Sequence, residues 1–172
     1  MAERKPIIAD DAAEPLTDPV LRARIEDFLT DYAYCIDDGR IDAWPDFFTE
    51  DGFYQVISSE SVEAGHPIGV LRCDGRGMME DRVKAMQRAN IFEPHVYCHI
   101  VGRPQIRVAG PEVYSARTNF SVIRTMQDGG SERFATGKYL DTIVFQDDAP
   151  KLKERRVILD SRRVDVLLVL PL

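Results

Sequence analysis

From residue 113 onward the hydrophobic pattern has a period of two. Tyr114, Ala116, Thr118, Phe120, Val122 and Met126 alternate with Ser115, Arg117, Asn119, Ser121 and Thr125, and Ile123 and Arg124 break the alternation near its end. Such a period turns one face of a strand to a core and the other to water. Asp128-Gly129-Gly130 supplies residues that accept positive φ, so a turn is expected there. Residues 132–145 return, rich in β-branched and aromatic side chains. Asp147-Asp148-Ala149-Pro150 turns again, and residues 152–169 make a third pass. Residues 113–169 therefore read as an antiparallel meander with one face to be covered.

Upstream the period changes to that of helices. Asp18-Pro19 opens the first one: Asp accepts from free N–H groups, and Pro at the first position lacks an N–H that would go unused. Leu21, Ile25, Phe28, Leu29, Tyr32 and Ile36 form its apolar stripe, and Gly39 is placed to end it. Asp42 is expected to cap a short helix over 43–48, carrying Trp44, Phe47 and Phe48. A short strand follows over 53–57. Residues 58–71, with Gly65, Pro67 and Gly69, read as a loop or a broken strand pair. Asp74 is expected to cap a third helix over 75–89, in which Met79, Val83 and Met86 share a stripe. Residues 95–101 have the composition of a strand, Gly102-Arg103-Pro104 interrupts it, and 106–108 continue it. Residues 1–16 are polar and proline-punctuated, which predicts a flexible N-terminal arm ahead of one domain over 17–172.

Helices first, one strand, one helix and then a meander exclude a doubly wound parallel sheet, in which strands and helices alternate. The order fits the α+β class: a curved antiparallel sheet wrapped as a cone around N-terminal helices. The 172 residues suffice for one core. A net charge of −7 argues against nucleic acid as a partner. Cys35, Cys73 and Cys98 show no paired spacing, which points to free thiols in a reducing cytoplasm. Residues 1–6 lack the apolar core of a signal peptide, and the longest apolar run, 166–172, is far short of a membrane span.

The chemistry-bearing residues form no metal or nucleophile signature. His95 and His99 lie in a strand-like segment, where four residues span roughly 13 Å, too far for one ion. Cys98-His99 lacks the second cysteine and histidine of a Rieske ligand set. No pair of histidines with a carboxylate has helical spacing. Gly75-Arg76-Gly77 lacks the feeding strand and later glycine of a dinucleotide fingerprint. The enzymatic alternative is an acid–base pair inside the cone, drawn from Asp37, Asp38, Asp51, Tyr32, Tyr34, Tyr54 and His99, as in a stand-alone isomerase or dehydratase. A small-ligand binding module is a second alternative. Two features point to partners instead. Val164, Val166, Leu167, Leu168, Val169, Leu170 and Leu172 are apolar on both strand faces. The preceding run holds charges of both signs, among them Arg155, Arg162 and Arg163.

Several stretches resemble one family. Ala43-Trp44-Pro45-Asp46-Phe47-Phe48-Thr49 and Asp81-Arg82-Val83-Lys84-Ala85 carry part of the likeness. Ala89-Asn90-Ile91-Phe92-Glu93-Pro94-His95-Val96-Tyr97-Cys98-His99-Ile100 carries most of it. Phe134-Ala135-Thr136-Gly137-Lys138-Tyr139-Leu140-Asp141 and the ending Leu170-Pro171-Leu172 add to it. Over roughly 25–172 the chain resembles the small (β) subunits of aromatic ring-hydroxylating dioxygenases, notably those of terephthalate dioxygenase and salicylate 5-hydroxylase. The resemblance implies a cystatin/NTF2-like cone with no catalytic, cofactor or metal residue of its own. It implies an α3β3 hexamer in which β subunits also meet one another. The Rieske [2Fe-2S] cluster and mononuclear Fe(II) would lie in the large (α) subunit, fed with NAD(P)H electrons by a separate reductase. Interface residues are then expected at His99, Arg155, Arg162, Arg163, Leu167, Leu168 and Leu170.

Overall fold

The computed structural model describes residues 13–66, 69–88, 93–161 and 170–172. Helix α1 (Pro19–Asp37) begins as its sequence predicts. The Asp18 carboxylate accepts from the N–H groups of Val20 at 2.9 Å and Leu21 at 3.1 Å. Gly39, at φ 71°, releases the chain beyond it. A 3₁₀ helix spans Ile41–Phe47. Asp42 sits in its first turn and does not cap it; its carboxylate instead accepts from Nε2 of Gln87 at 2.6 Å, tying this helix to the third.

Phe48, expected in a helix, opens the long strand β1 (Phe48–Ser58). The segment after it holds a short helix α2 (Ser59–Glu63), capped by the Ser58 hydroxyl, and strand β2 (Leu71–Asp74). Asp74 thus ends a strand, and Gly75, at φ 95°, turns the chain into α3 (Arg76–Arg88). Then come β3 (His95–Val101), β4 (Gln105–Gly110), β5 (Val113–Met126), β6 (Ser131–Gln146) and β7 (Ala149–Leu159). The third pass of the meander, expected over 152–169, ends at Leu159; residues 162–169 lie outside the described residues.

The strands form one sheet in the order β2-β1-β7-β6-β5-β3, with β4 also paired to β5. All pairings are antiparallel except β1 with β7. The inner face carries Tyr54, Val56, Tyr97, Phe120, Val122, Tyr139, Ile143 and Val157, packed with Ile25, Ile36 and Trp44 in one buried cluster. Each such side chain contributes roughly 1.5–3 kcal/mol of burial. Gly137 lies tight against β7: a Cβ there would sit 2.0 Å from the carbonyl oxygen of Ile158.

Two expectations change. Arg124 does not break the alternation of β5. It stays in inward phase, 9% exposed, with its guanidinium 4.7 Å from the centroid of Phe134 and an ion pair to Glu132. The arm boundary also shifts. Leu16 donates its N–H to Ile106 at 3.0 Å, Val108 donates to Glu14 at 2.9 Å, and Leu16 is 6% exposed, so residues 13–16 lie along β4.

Candidate functional site

Adjacent strands bring a buried ion pair into the cone interior. Asp141 on β6 and Arg155 on β7 are register partners, both inward-facing. Their side chains meet in a two-pronged ion pair, Nε to Oδ1 and Nη2 to Oδ2, each 2.8 Å, with side-chain exposures of 1% and 0%. Guanidinium and carboxylate match in shape, which makes such a pair strong. The Arg155 guanidinium carbon lies 3.9 Å from the ring centroid of Tyr32 and 4.4 Å from that of Tyr139. Burial alone would ease the proton off Arg155; the adjacent Asp141 carboxylate outweighs it and holds the pKa above its ordinary value.

Tyr32 continues the network toward the carboxy-terminal residues. Its hydroxyl accepts from Nε1 of Trp44 at 2.9 Å and donates to the Leu172 carbonyl at 3.1 Å. The Tyr54 hydroxyl accepts from the Leu172 N–H at 2.9 Å and lies 3.2 Å from its carbonyl oxygen. Leu172 is 1% exposed and Leu170 packs half-buried on the core, so this part of the apolar tail is covered by its own chain. Burial pushes the Tyr32 phenol up to about 12 and those of Tyr54 and Tyr139 well above their ordinary value. All three keep their protons at neutral pH, and Tyr32 and Tyr54 donate theirs to the Leu172 carbonyl.

A cavity of about 200 Å³ opens between α1 and the corner joining β3 to β4. Leu29, Ala33, Val101 and Pro104 give it apolar walls. Its floor is Thr118, Tyr139 and Arg155; Thr118 and Tyr139 are register partners on β5 and β6. Glu26 and Arg103, 3.5 Å apart, stand at its rim.

His99 makes a separate pair. Its N–H donates to Oδ2 of Asp37 at 2.8 Å and its Nδ1–H to Oδ1 at 2.5 Å. The ring is fully buried and does not line the cavity. The pair joins the last residue of α1 to the middle of β3. Outward from it, Val96, Cys98 and Ile100 point away from the core; Val96 is 59% and Ile100 56% exposed.

The SnoaL-like domain profile matches residues 20–156. The chain is 39% identical over 149 residues to the terephthalate 1,2-dioxygenase terminal oxygenase component subunit beta 2 of a Comamonas species, across 87% of this chain and 97% of that one. It is 35% identical over 137 residues to the anthranilate 1,2-dioxygenase small subunit of Burkholderia cepacia, across 80% and 85% of the two chains. The chain belongs to the SnoaL-like family, among the β subunits of aromatic-ring-hydroxylating dioxygenases. The crystal structure of one such β subunit, from Novosphingobium aromaticivorans, superposes on it with a TM-score of 0.80 at 36% identity, covering 88% of this chain and 95% of that one.

In this β subunit the residues expected at an interface sit in several different settings in the isolated chain. Arg155 is 1% exposed and the His99 ring 0%, so neither side chain presents surface in the isolated chain; each is held by an internal carboxylate. Leu170 is half-buried. Arg162, Arg163, Leu167 and Leu168 lie outside the described residues. Of the acid–base candidates, Tyr32, Tyr54, Asp37 and His99 are drawn into internal networks, whereas Tyr34, Asp38 and Asp51 are exposed. Thr118, Tyr139 and Asp141 carry no such expectation in the sequence pattern. The available signal is Asp141 itself, an acid in the same phase as Tyr139, Ile143 and Phe145.

Proposed function

We propose that this β subunit is the non-catalytic scaffold of a Rieske non-haem iron oxygenase that hydroxylates an aromatic acid. The cluster and the mononuclear iron belong to the large subunit, an NAD(P)H-fed reductase supplies electrons, and the assembly is α3β3 with β subunits touching one another. Relatives named for terephthalate and anthranilate, both aromatic carboxylates, support the substrate class. The observation that carries the scaffold role is the outward row of Val96, Cys98 and Ile100 on β3, an edge strand of the sheet. Exposed apolar side chains in a row mark a surface that another chain covers. The His99–Asp37 pair fits the same reading, since it ties the end of α1 to the strand that carries this row. Arg162, Arg163, Leu167 and Leu168 extend the proposed interface by sequence.

The test is co-purification. A tagged chain, expressed with its candidate large subunit, is expected to retain it together with iron and the absorbance of a [2Fe-2S] cluster, at a mass corresponding to three of each chain. A tagged chain that never retains an iron-containing partner overturns the proposal.

A further inference from the structure

The cavity under α1 ends on three polar groups that the fold does not use. Arg155 spends Nε and Nη2 on Asp141, and its Nη1 has no protein partner; neither do the Tyr139 hydroxyl and Thr118 Oγ1. These residues are 1%, 3% and 4% exposed, and all three line the same cavity. Buried donors without partners are costly and uncommon in folded proteins, so three around one space point to something that pairs with them there. Arg155 can only donate, and the two hydroxyls can also donate, so their common counterpart is an oxygen acceptor. The walls around it are aliphatic. A cavity of about 150 Å³ admits benzene, so the roughly 200 Å³ here holds one six-membered ring with a small substituent.

Charge narrows the class. The Arg155 cation at the cavity floor is matched by Asp141, while Arg103 at the rim is solvent-exposed and shares Glu26 with Arg22. A carboxylate inside would be a buried charge without a counter-ion, which is strongly unfavourable. We propose that this cavity binds a small uncharged ring compound bearing one acceptor oxygen, held by Arg155, Tyr139 and Thr118. Nothing in the scaffold role requires such a site.

The proposal is tested by titrating the isotope-labelled full-length chain with acetophenone, toluene and benzoate, observed by protein NMR. Acetophenone is expected to give saturable shifts centred on Val101, Thr118 and Tyr139. Toluene, lacking the oxygen, is expected to bind about three- to tenfold more weakly, the value of one neutral hydrogen bond. Tyr139→Phe and Thr118→Val, both nearly isosteric, should each weaken acetophenone by a similar factor and leave toluene unchanged. The wild-type comparison stands even if a variant fails to fold. Absence of saturation (a site filled by water only), shifts centred elsewhere, equal affinity for toluene, or tighter binding of benzoate would each overturn it.

Discussion

Asp37 and His99 are joined twice: one carboxylate takes both the backbone N–H and the ring N–H of a single residue. The first bond fixes the β3 backbone and the second fixes the ring, so the end of α1 is locked to the strand that carries the exposed apolar row. Replacing Asp37 by Ala leaves both donors buried without a partner. We expect a loss of about 3 kcal/mol in urea unfolding. Asp37→Asn, which keeps an acceptor oxygen, should lose less. Equal stability of Asp37→Ala and the wild type would show that the pair does not tie the helix down.

The Arg155–Asp141 pair gives a second prediction. Removing either partner strands a buried charge, so Arg155→Met and Asp141→Leu should each cost about 3–5 kcal/mol. The double variant should recover much of that, because two apolar side chains desolvate without penalty. A double-mutant cycle by chemical denaturation reads the coupling directly.

Stability should fall at alkaline pH. Tyr32, Tyr54 and Tyr139 have folded pKa values raised by burial. A raised folded pKa contributes stability that is fully present below the unfolded value near 10 and lost as pH rises through the folded value. For Tyr32 that window runs from about 10 to about 12. Burial raises Cys35 and Cys73 as well, so their contribution begins to fade near 9. Tyrosinate absorbance for these three rings should rise together with unfolding, not ahead of it.

Gly137→Ala should weaken the sheet at its centre. The added Cβ would meet backbone, the Ile158 carbonyl at 2.0 Å, and backbone cannot rotate away as a side chain can. A loss of about 3 kcal/mol or more is expected, a drop of about 6–12 °C in thermal midpoint for a chain of this size.

On the outer face, Val96→Asp with Ile100→Asp should leave the thermal midpoint of the isolated chain within a few degrees while abolishing retention of the large subunit. Both side chains are more than half exposed, so neither substitution buries a charge in the free chain. Full retention by the double variant would place the docking surface elsewhere.

Local patterns alone determined much of this protein. The period-two run of β5, the Asp18-Pro19 start, Gly39 at the exit of α1 and the β3 boundaries 95–101 all follow from backbone and burial preferences acting within a few residues. The family was readable for the same reason: motifs such as the one around Gly137 record contacts that only a few residue types satisfy. Tertiary structure decided which charges turn inward. Arg124 and Arg155 occupy inward phases that a periodicity argument assigns to apolar side chains, and each is tolerated because a neighbouring strand brings a carboxylate and an aromatic ring to the same spot, Glu132 and Phe134 for the first, Asp141 and Tyr139 for the second. Strand register, set where two neighbouring strands pair, supplies those partners. Spacing along one strand carries no information about what the next strand holds opposite, and so the buried polar floor of the cone was visible only once the sheet was assembled.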